Sequence, residues 1–221
     1  MPKAVIFDVD GTLVDSVDLH ARAWEDAFRD FGYDVSFEQA RSQIGKGGDQ
    51  LLPVFLSRAD IESRGERLEQ HRSNILKERY LGRIEGFPKV RALMEHLIAQ
   101  GQRIILASSA KGDELQTYKK VAEIDDLVDT ETSSDDAEKS KPNPDIFQAA
   151  LKRLGNIEPA DAIVVGDTPY DAEAAGKAGL RTVGLLCGGW SADDLKAAGC
   201  IAVYDDPADL LAHYATSPLA A

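Results

Sequence analysis

The chain opens with a short apolar run, Ala4-Val5-Ile6-Phe7, that ends in two acids one residue apart, Asp8 and Asp10. Gly11-Thr12 follows at once. An uninterrupted run of Val, Ile and Phe reads as a buried strand. Gly11 permits a sharp backbone turn. Asp8 and Asp10 are therefore expected at the carboxyl end of the strand, the edge at which open α/β sheets bind ligands. Two carboxylates placed there repel each other unless a cation or a proton holds them. The pair is thus a candidate metal site and a candidate nucleophile–acid pair.

Further along, strand-like runs alternate with helical patterns. Residues 103–107, 162–165, 182–186 and 201–204 read as strands. Residues 89–100 carry Val90, Leu93, Met94 and Leu97 on one helical face, and Gly101 closes that helix. Asn143 reads as a helix cap with Pro144 at the first helical position, and Gly155 ends the helix. This alternation predicts an α/β fold, a doubly wound, Rossmann-like parallel sheet. Residues 16–82 differ. Ser16 is placed to cap a helix bearing Val17, Ala21, Trp24, Phe28 and Phe31 at helical spacing, ended by Gly32. Residues 37–44, 48–56 and 61–80 also read as helical, with no strand among them. The expectation is a core of residues 1–15 and 83–221, with residues 16–82 inserted as an all-helical cap. The joints fall near Asp15 and at residues 81–86.

The chain has 221 residues, enough for one large domain or for a core with an insertion. Its formal net charge of -13 argues against nucleic acid or an anionic membrane as partner, but not against a small phosphorylated molecule. Cys187 and Cys200 are the only cysteines and read as ordinary reduced thiols. No apolar run approaches membrane-spanning length, and the first residues lack a signal-peptide pattern. A cytoplasmic monomer or homodimer is expected.

Three more segments could carry chemistry. Ser108 and Ser109 follow the strand at residues 103–107, where a hydroxyl and the amides of a helix start favour an anion. Lys141 stands in Lys139-Ser140-Lys141-Pro142-Asn143-Pro144-Asp145, held extended by Pro142. In Gly166-Asp167-Thr168-Pro169-Tyr170-Asp171, Asp167 ends a buried strand, Thr168 is placed to cap the next helix, and Asp171 falls in its first turn.

In order and in spacing, Asp8-Val9-Asp10-Gly11-Thr12-Leu13 and these later segments resemble the haloacid dehalogenase-like hydrolases over nearly the whole chain. The phosphoglycolate phosphatase and β-phosphoglucomutase branch is the most similar. The resemblance implies that Asp8 is the nucleophile, forming an aspartyl-phosphate, and that Asp10 is the general acid and base with its carboxyl free for the proton. It implies that the Ser108 hydroxyl, the Ser109 amide and Lys141 bind the phosphoryl group. Mg²⁺ would be held by Asp8, Asp167 and the main-chain carbonyl of Asp10, with Asp171 behind them, paired with Lys141 or a metal-bound water. In the helical insertion, Lys46 stands in the glycine-rich turn 45–48 and either reaches a substrate anion or is solvated. His20 either touches Asp10 when the cap closes or is simply packed. The implied activity is Mg²⁺-dependent hydrolysis of a small phosphorylated metabolite, phosphoglycolate-like or sugar-phosphate-like. The alternative is a sugar phosphomutase. That reading is weakened because Gly47-Gly48 occupies the turn where the mutases carry an arginine, leaving Lys46 as the only cation nearby. The acid at position 10 argues against dehalogenation, and the filled catalytic positions argue against a non-catalytic phosphate-binding protein.

Overall fold

The computed structural model describes residues 1–221. It contains eight strands: β1 (Ala4–Phe7), β2 (Val14–Asp15), β3 (Glu85–Gly86), β4 (Arg103–Ala107), β5 (Thr130–Thr132), β6 (Ala162–Gly166), β7 (Arg181–Leu185) and β8 (Cys200–Tyr204). Six of them form one parallel sheet in the order β5-β4-β1-β6-β7-β8. From the central β1 the chain builds outward through β4 and β5, then returns to build β6, β7 and β8 on the other side. The connection therefore reverses at β1, the point at which such a sheet opens a crevice at its carboxyl edge.

All four residues of β1 are fully buried because helices cover both faces. Side chains alternate across a strand. Val5 and Phe7 accordingly join Leu93, Leu97, Leu115 and Tyr118 on one side. Ala4 and Ile6 join Phe147, Ala150, Leu154 and Ala174 on the other. β4 runs as its sequence predicts, β6 and β8 are each one residue longer at an end, and β7 lies one residue earlier than expected, an ordinary ambiguity of boundaries. The short strand β5 has no counterpart in the sequence reading. Thr130-Glu131-Thr132 is polar because it pairs only with β4 and lies at the sheet edge.

Between β2 and β3 the chain is helical, with helices Val17–Asp30, Phe37–Arg41 and Gly48–Phe55. A continuous helical run over residues 58–80 follows, interrupted by π turns at Ile61–Gly65 and Leu76–Tyr80. β2 and β3 pair antiparallel where this segment leaves and rejoins the sheet. The segment has its own apolar cluster, including Trp24, Phe28, Leu51, Leu52, Leu68 and Leu76. Phe28 is its hub: fully buried, stacked on Trp24 at 5.6 Å and edge-on to Phe55 at 5.4 Å.

Three predicted helix starts are corrected. Ser16 precedes the first helix without capping it, since its hydroxyl donates to Asp10 instead. Asn143 uses its amide to donate to the Ser140 carbonyl, so Pro144 takes the cap position and the helix starts at Asp145. The helix expected directly after Ser108 and Ser109 starts only at Gly112. Ser108 Oγ instead accepts the Ala110 N–H at 3.0 Å and closes a turn.

Removing the Phe28 ring leaves a cavity at the centre of the helical cluster. Phe28→Ala should lower unfolding free energy by about 3–5 kcal/mol in a denaturant titration.

Candidate active site

Asp8, Ser108 and Asp167 each follow the last residue of a sheet strand, β1, β4 and β6, and these three strands are neighbours. The turn after β1 is tight: the Val9 carbonyl accepts the N–H groups of Thr12, Leu13 and Val14. Gly11 adopts a φ of +79°, and a Cβ there would lie 2.4 Å from Asp167 Oδ2. Only glycine allows the turn to pass this close to the second acid.

Lys141 arrives from the loop before helix Asp145–Leu154 and is 1% exposed. Its ammonium bridges Asp8 Oδ1 and, at 2.7 Å, Asp171 Oδ1. It also donates to the Ala107 carbonyl at 3.3 Å. Thr12 Oγ1 donates to Asp167 Oδ1 at 2.8 Å. Asp171 Oδ2 accepts from the Thr168 amide and hydroxyl in the capping box of helix Pro169–Lys177, as the sequence predicts for Thr168. Burial pushes the Asp8 carboxyl up to about 7; Lys141 opposes the rise, and Asp171 and Asp10 add to it. Burial, then the charges of Asp8 and Asp171, raise Asp167 well above the carboxylate range. Burial works against the Lys141 charge, but Asp171 and Asp8 outweigh it and raise its pKa. One lysine thus serves three buried acids.

Asp10 differs from its neighbour. Its carboxyl is held rather than free: Asp10 Oδ1 accepts from Ser16 Oγ at 2.6 Å and His20 Nε2 at 2.9 Å. His20 Nε2 also lies 3.1 Å from the Tyr118 hydroxyl. Burial pushes Asp10 up, but the field and hydrogen bond of His20, with the Ser16 hydroxyl, overcome it and hold the carboxyl below its usual range.

Carboxylate oxygens of Asp8, Asp167 and Asp171 all lie within 4.8 Å of one another. Asp167 Oδ2 is buried with no hydrogen-bond partner. Gly188 also lies against it, where a Cβ would come within 1.7 Å. A buried, unpartnered carboxylate oxygen among three acids suits a hard, oxygen-seeking divalent cation. Asp171 has both oxygens occupied by Lys141 and Thr168, so Asp8 and Asp167 are the better placed to hold one.

A cavity of about 290 Å³ opens between this sheet edge and the helical segment. Asp8, Asp10, His20, Ser109 and Lys46 line it; Ser108 is buried beneath. Lys46 Nζ donates to Gln43 Oε1 at 2.6 Å and sits 4.6 Å from the Tyr170 ring centre, so neighbours already engage its charge. Across the cavity the turn 45–49 meets the Lys141 loop. The Gly47 N–H donates to Ser140 Oγ at 2.9 Å, while the Ser140 N–H and hydroxyl both donate to Asp49. Sequence reasoning missed Ser140 and Asp49, and it missed Glu69, Arg72 and Lys111, which also line the cavity. Lys46 is therefore not the only cation nearby. A helical pattern placed residues 61–80 in a helix, but no local signal shows which face meets the sheet.

The raised Asp8 pKa has a measurable sign. Its folded value, about 7, exceeds the ordinary 3.8, so its contribution to stability is complete below about 3.8 and is lost as pH rises through about 7. With chelator present, Asp8→Asn should be more stable than the parent at about pH 8, and the gap should close towards about pH 4. Chemical denaturation at several pH values measures it. A divalent cation at a hundred times its Kd should add about 2.7 kcal/mol to the parent and less to the variant.

The family model for haloacid dehalogenase-like hydrolases matches residues 5–185. The chain is similar to a phosphoglycolate phosphatase from Aliivibrio fischeri, 31% identical over 84% of this chain and 85% of that protein. A phosphorylated carbohydrates phosphatase from Thermotoga maritima is 25% identical over 82% of this chain and 83% of its own length. Among solved structures, a hydrolase from Pseudomonas syringae superposes with a TM-score of 0.87 at 30% identity, covering 96% of this chain and 98% of that one. Six parallel strands, acids at the ends of β1 and β6, and a match spanning most of the sequence agree: the chain belongs to the haloacid dehalogenase-like hydrolases.

Proposed function

We propose that this protein is a Mg²⁺-dependent phosphatase of a small phosphorylated metabolite, acting through an aspartyl-phosphate on Asp8, with residues 16–82 serving as a cap over the site. The observation that carries the reading is Asp8 itself. It lies on the floor of the cavity, tied to Lys141, beside the partner-free oxygen of Asp167, with Asp10 two residues on.

Asp8, Asp167 and the main-chain carbonyl of Asp10 would hold the cation. When bound, it would neutralise the clustered carboxylates and the phosphoryl oxygens. Lys141 adds a fixed positive charge at the same end, and the Ser108 hydroxyl and Ser109 amide supply donors at the end of β4. An Asp8 oxygen attacks phosphorus, and the bond from phosphorus to the ester oxygen breaks. The departing alkoxide takes a proton from Asp10 and leaves as the alcohol. Asp10 carries into that step the proton it took from water in the preceding turnover, while the Ser16 and His20 bonds favour its ionised form and hence the base step. In the second half, Asp10 removes a proton from water, and the resulting hydroxide displaces Asp8 from phosphorus. Phosphate leaves, and Asp10 holds the proton again. Splitting the reaction lets one carboxylate act twice, and exclusion of bulk water by the closed helical segment favours both steps.

A sugar phosphomutase would use the same Asp8 intermediate and hand the phosphoryl group back to the sugar. That reading requires a grip on a second phosphate. At the turn 45–48, where the resemblance places an arginine in the mutases, this chain has only Lys46, already engaged by Gln43 and Tyr170; the cavity's other cations, Arg72 and Lys111, stand on other elements. Hydrolysis is therefore preferred, and a coupled isomerisation assay primed with a sugar bisphosphate separates the two.

Phosphate release from a panel of phosphorylated metabolites should require Mg²⁺ and stop with chelator. Asp8→Asn should abolish it. Asp10→Asn should slow alkyl phosphates by about 10²–10⁴-fold, and aryl phosphates, whose leaving groups need little protonation, by much less. Release that is indifferent to both Asp8→Asn and chelator would sink the proposal.

A further inference from the structure

Strand β7 lies beside β6, and the loop that follows it passes against Asp167. That loop is short. Leu186–Gly188 form a single 3₁₀ turn, and the Gly189 N–H donates to the Leu186 carbonyl at 2.8 Å. It is also tethered. The Cys187 thiol donates to the Gly11 carbonyl at 3.1 Å, which joins the loop to the turn after β1. On the other side, Arg41 of helix Phe37–Arg41 donates to the Gly188 carbonyl at 3.4 Å and pairs with Asp18 at 2.6 Å. Gly188 is thus buried between the helical segment and an acid of the site.

Asp167 is fully buried, and its two oxygens are held differently. Oδ1 accepts the Thr12 hydroxyl at 2.8 Å, whereas Oδ2 has no hydrogen-bond partner. Glycine backbone walls Oδ2 from two directions. A Cβ at Gly11 would lie 2.8 Å from the Asp167 Cγ, and a Cβ at Gly188 would overlap Oδ2 and lie 2.7 Å from the Asp167 Cβ. Both fall well inside the separation of about 3.5–4 Å at which carbon atoms pack. A side chain at 188 therefore has two outlets. Turning the carboxylate would break the Thr12 bond, and moving the loop would pull on the Cys187–Gly11 tether. A polar side chain would also take the lone pairs that Oδ2 now keeps. A buried acceptor without a donor is costly, and a native one calls for a reason. Lone pairs kept clear of every protein donor remain available to a hard cation.

We propose that Gly188 is a positioning residue for the divalent cation: by bringing the β7 loop against Asp167 with no side chain between them, it keeps Oδ2 in place and free of protein donors for a cation shared with Asp8. It acts through Asp167 and touches no reacting atom. The inference rests on the cation of the phosphatase reading and extends the site to a loop that supplies no ligand. Groups that orient a metal ligand are commonly worth about tenfold to a hundredfold in metal affinity. Gly189 supplies the contrast. Its φ is +90°, and a Cβ there would press on the Arg41 guanidinium, 2.9 Å from Nη1, with no contact to Asp167.

The test uses the full chain and follows the urea unfolding midpoint as Mg²⁺ is added, so affinity is read without turnover. Gly188→Ala should raise the Mg²⁺ Kd by about tenfold to a hundredfold, while Gly189→Ala, strained in the same loop, should change it by less than about threefold. With chelator present, Gly188→Ala should lower the midpoint of the parent, and by less than half as much in an Asp167→Gly background, where the atoms it meets are gone. An unchanged Kd in Gly188→Ala, equal losses in the two loop variants, or equal drops in the two backgrounds would overturn the positioning role and leave the phosphatase reading intact. A parent whose midpoint ignores Mg²⁺ would instead remove the cation from that reading, and this role with it. Phosphate release from the parent, measured in parallel, tests the phosphatase reading on its own. If Gly188→Ala does not fold, the double variant with Asp167→Gly decides: regained folding supports the contact, and continued failure overturns it.

Discussion

The site depends on one buried cation. Lys141 stands between Asp8 and Asp171 with almost no exposure, and Asp167 crowds the same space. Three acids cannot share so small a volume as anions without compensation, because desolvation penalises each charge and the charges repel. Lys141 offsets part of this, but burial and the neighbouring acids still push Asp8 and Asp167 upward. The remainder makes the site receptive to a divalent cation. The lysine also restricts the backbone: its loop must lie where one ammonium reaches the end of β1 and the start of helix Pro169–Lys177. Fold and chemistry meet at that one side chain.

The two acids of the opening motif are separated by their surroundings. Asp8 is buried against other acids and is difficult to ionise; Asp10, two residues on, is wrapped by Ser16 and His20 and ionises readily. The sheet places Asp8, while Ser16, just before helix Val17–Asp30, and His20 within that helix close around Asp10. The proton chemistry proposed for Asp10 therefore draws on both structural units, whereas the proposed nucleophile, Asp8, is set at the end of β1 and steadied by Lys141. Tyr118, from the helix after β4, completes the surroundings of His20.

Much of this was legible in the sequence for a local reason. Asp8 and Asp167 follow short runs of β-branched residues, Gly11 marks the turn, and Thr168-Pro169 marks a helix start, so each acid could be placed at a strand end without tertiary information. Other features depended on tertiary neighbours. Thr130-Glu131-Thr132 is too polar to read as a strand and becomes one by pairing with β4. Ser16 has the form of a helix cap, but a carboxylate 2.6 Å away takes its hydroxyl. Asn143 likewise turns to the Ser140 carbonyl. Arg72 and Glu69 carry no mark within residues 61–80, because only the docking of that helix over the sheet sets them facing the cavity.

Ser140 ties these parts together. It receives the Gly47 amide and donates to Asp49, both on the helical segment, and its own peptide leads directly into Lys141. Any separation of the helices from the sheet must break these bonds next to the one cation the acids rely on. Access to the cavity and the charge balance at its floor are thereby linked: a separation of the roof that admitted a substrate would also loosen the loop that steadies Asp8, and the proposed chemistry would need the roof back in place.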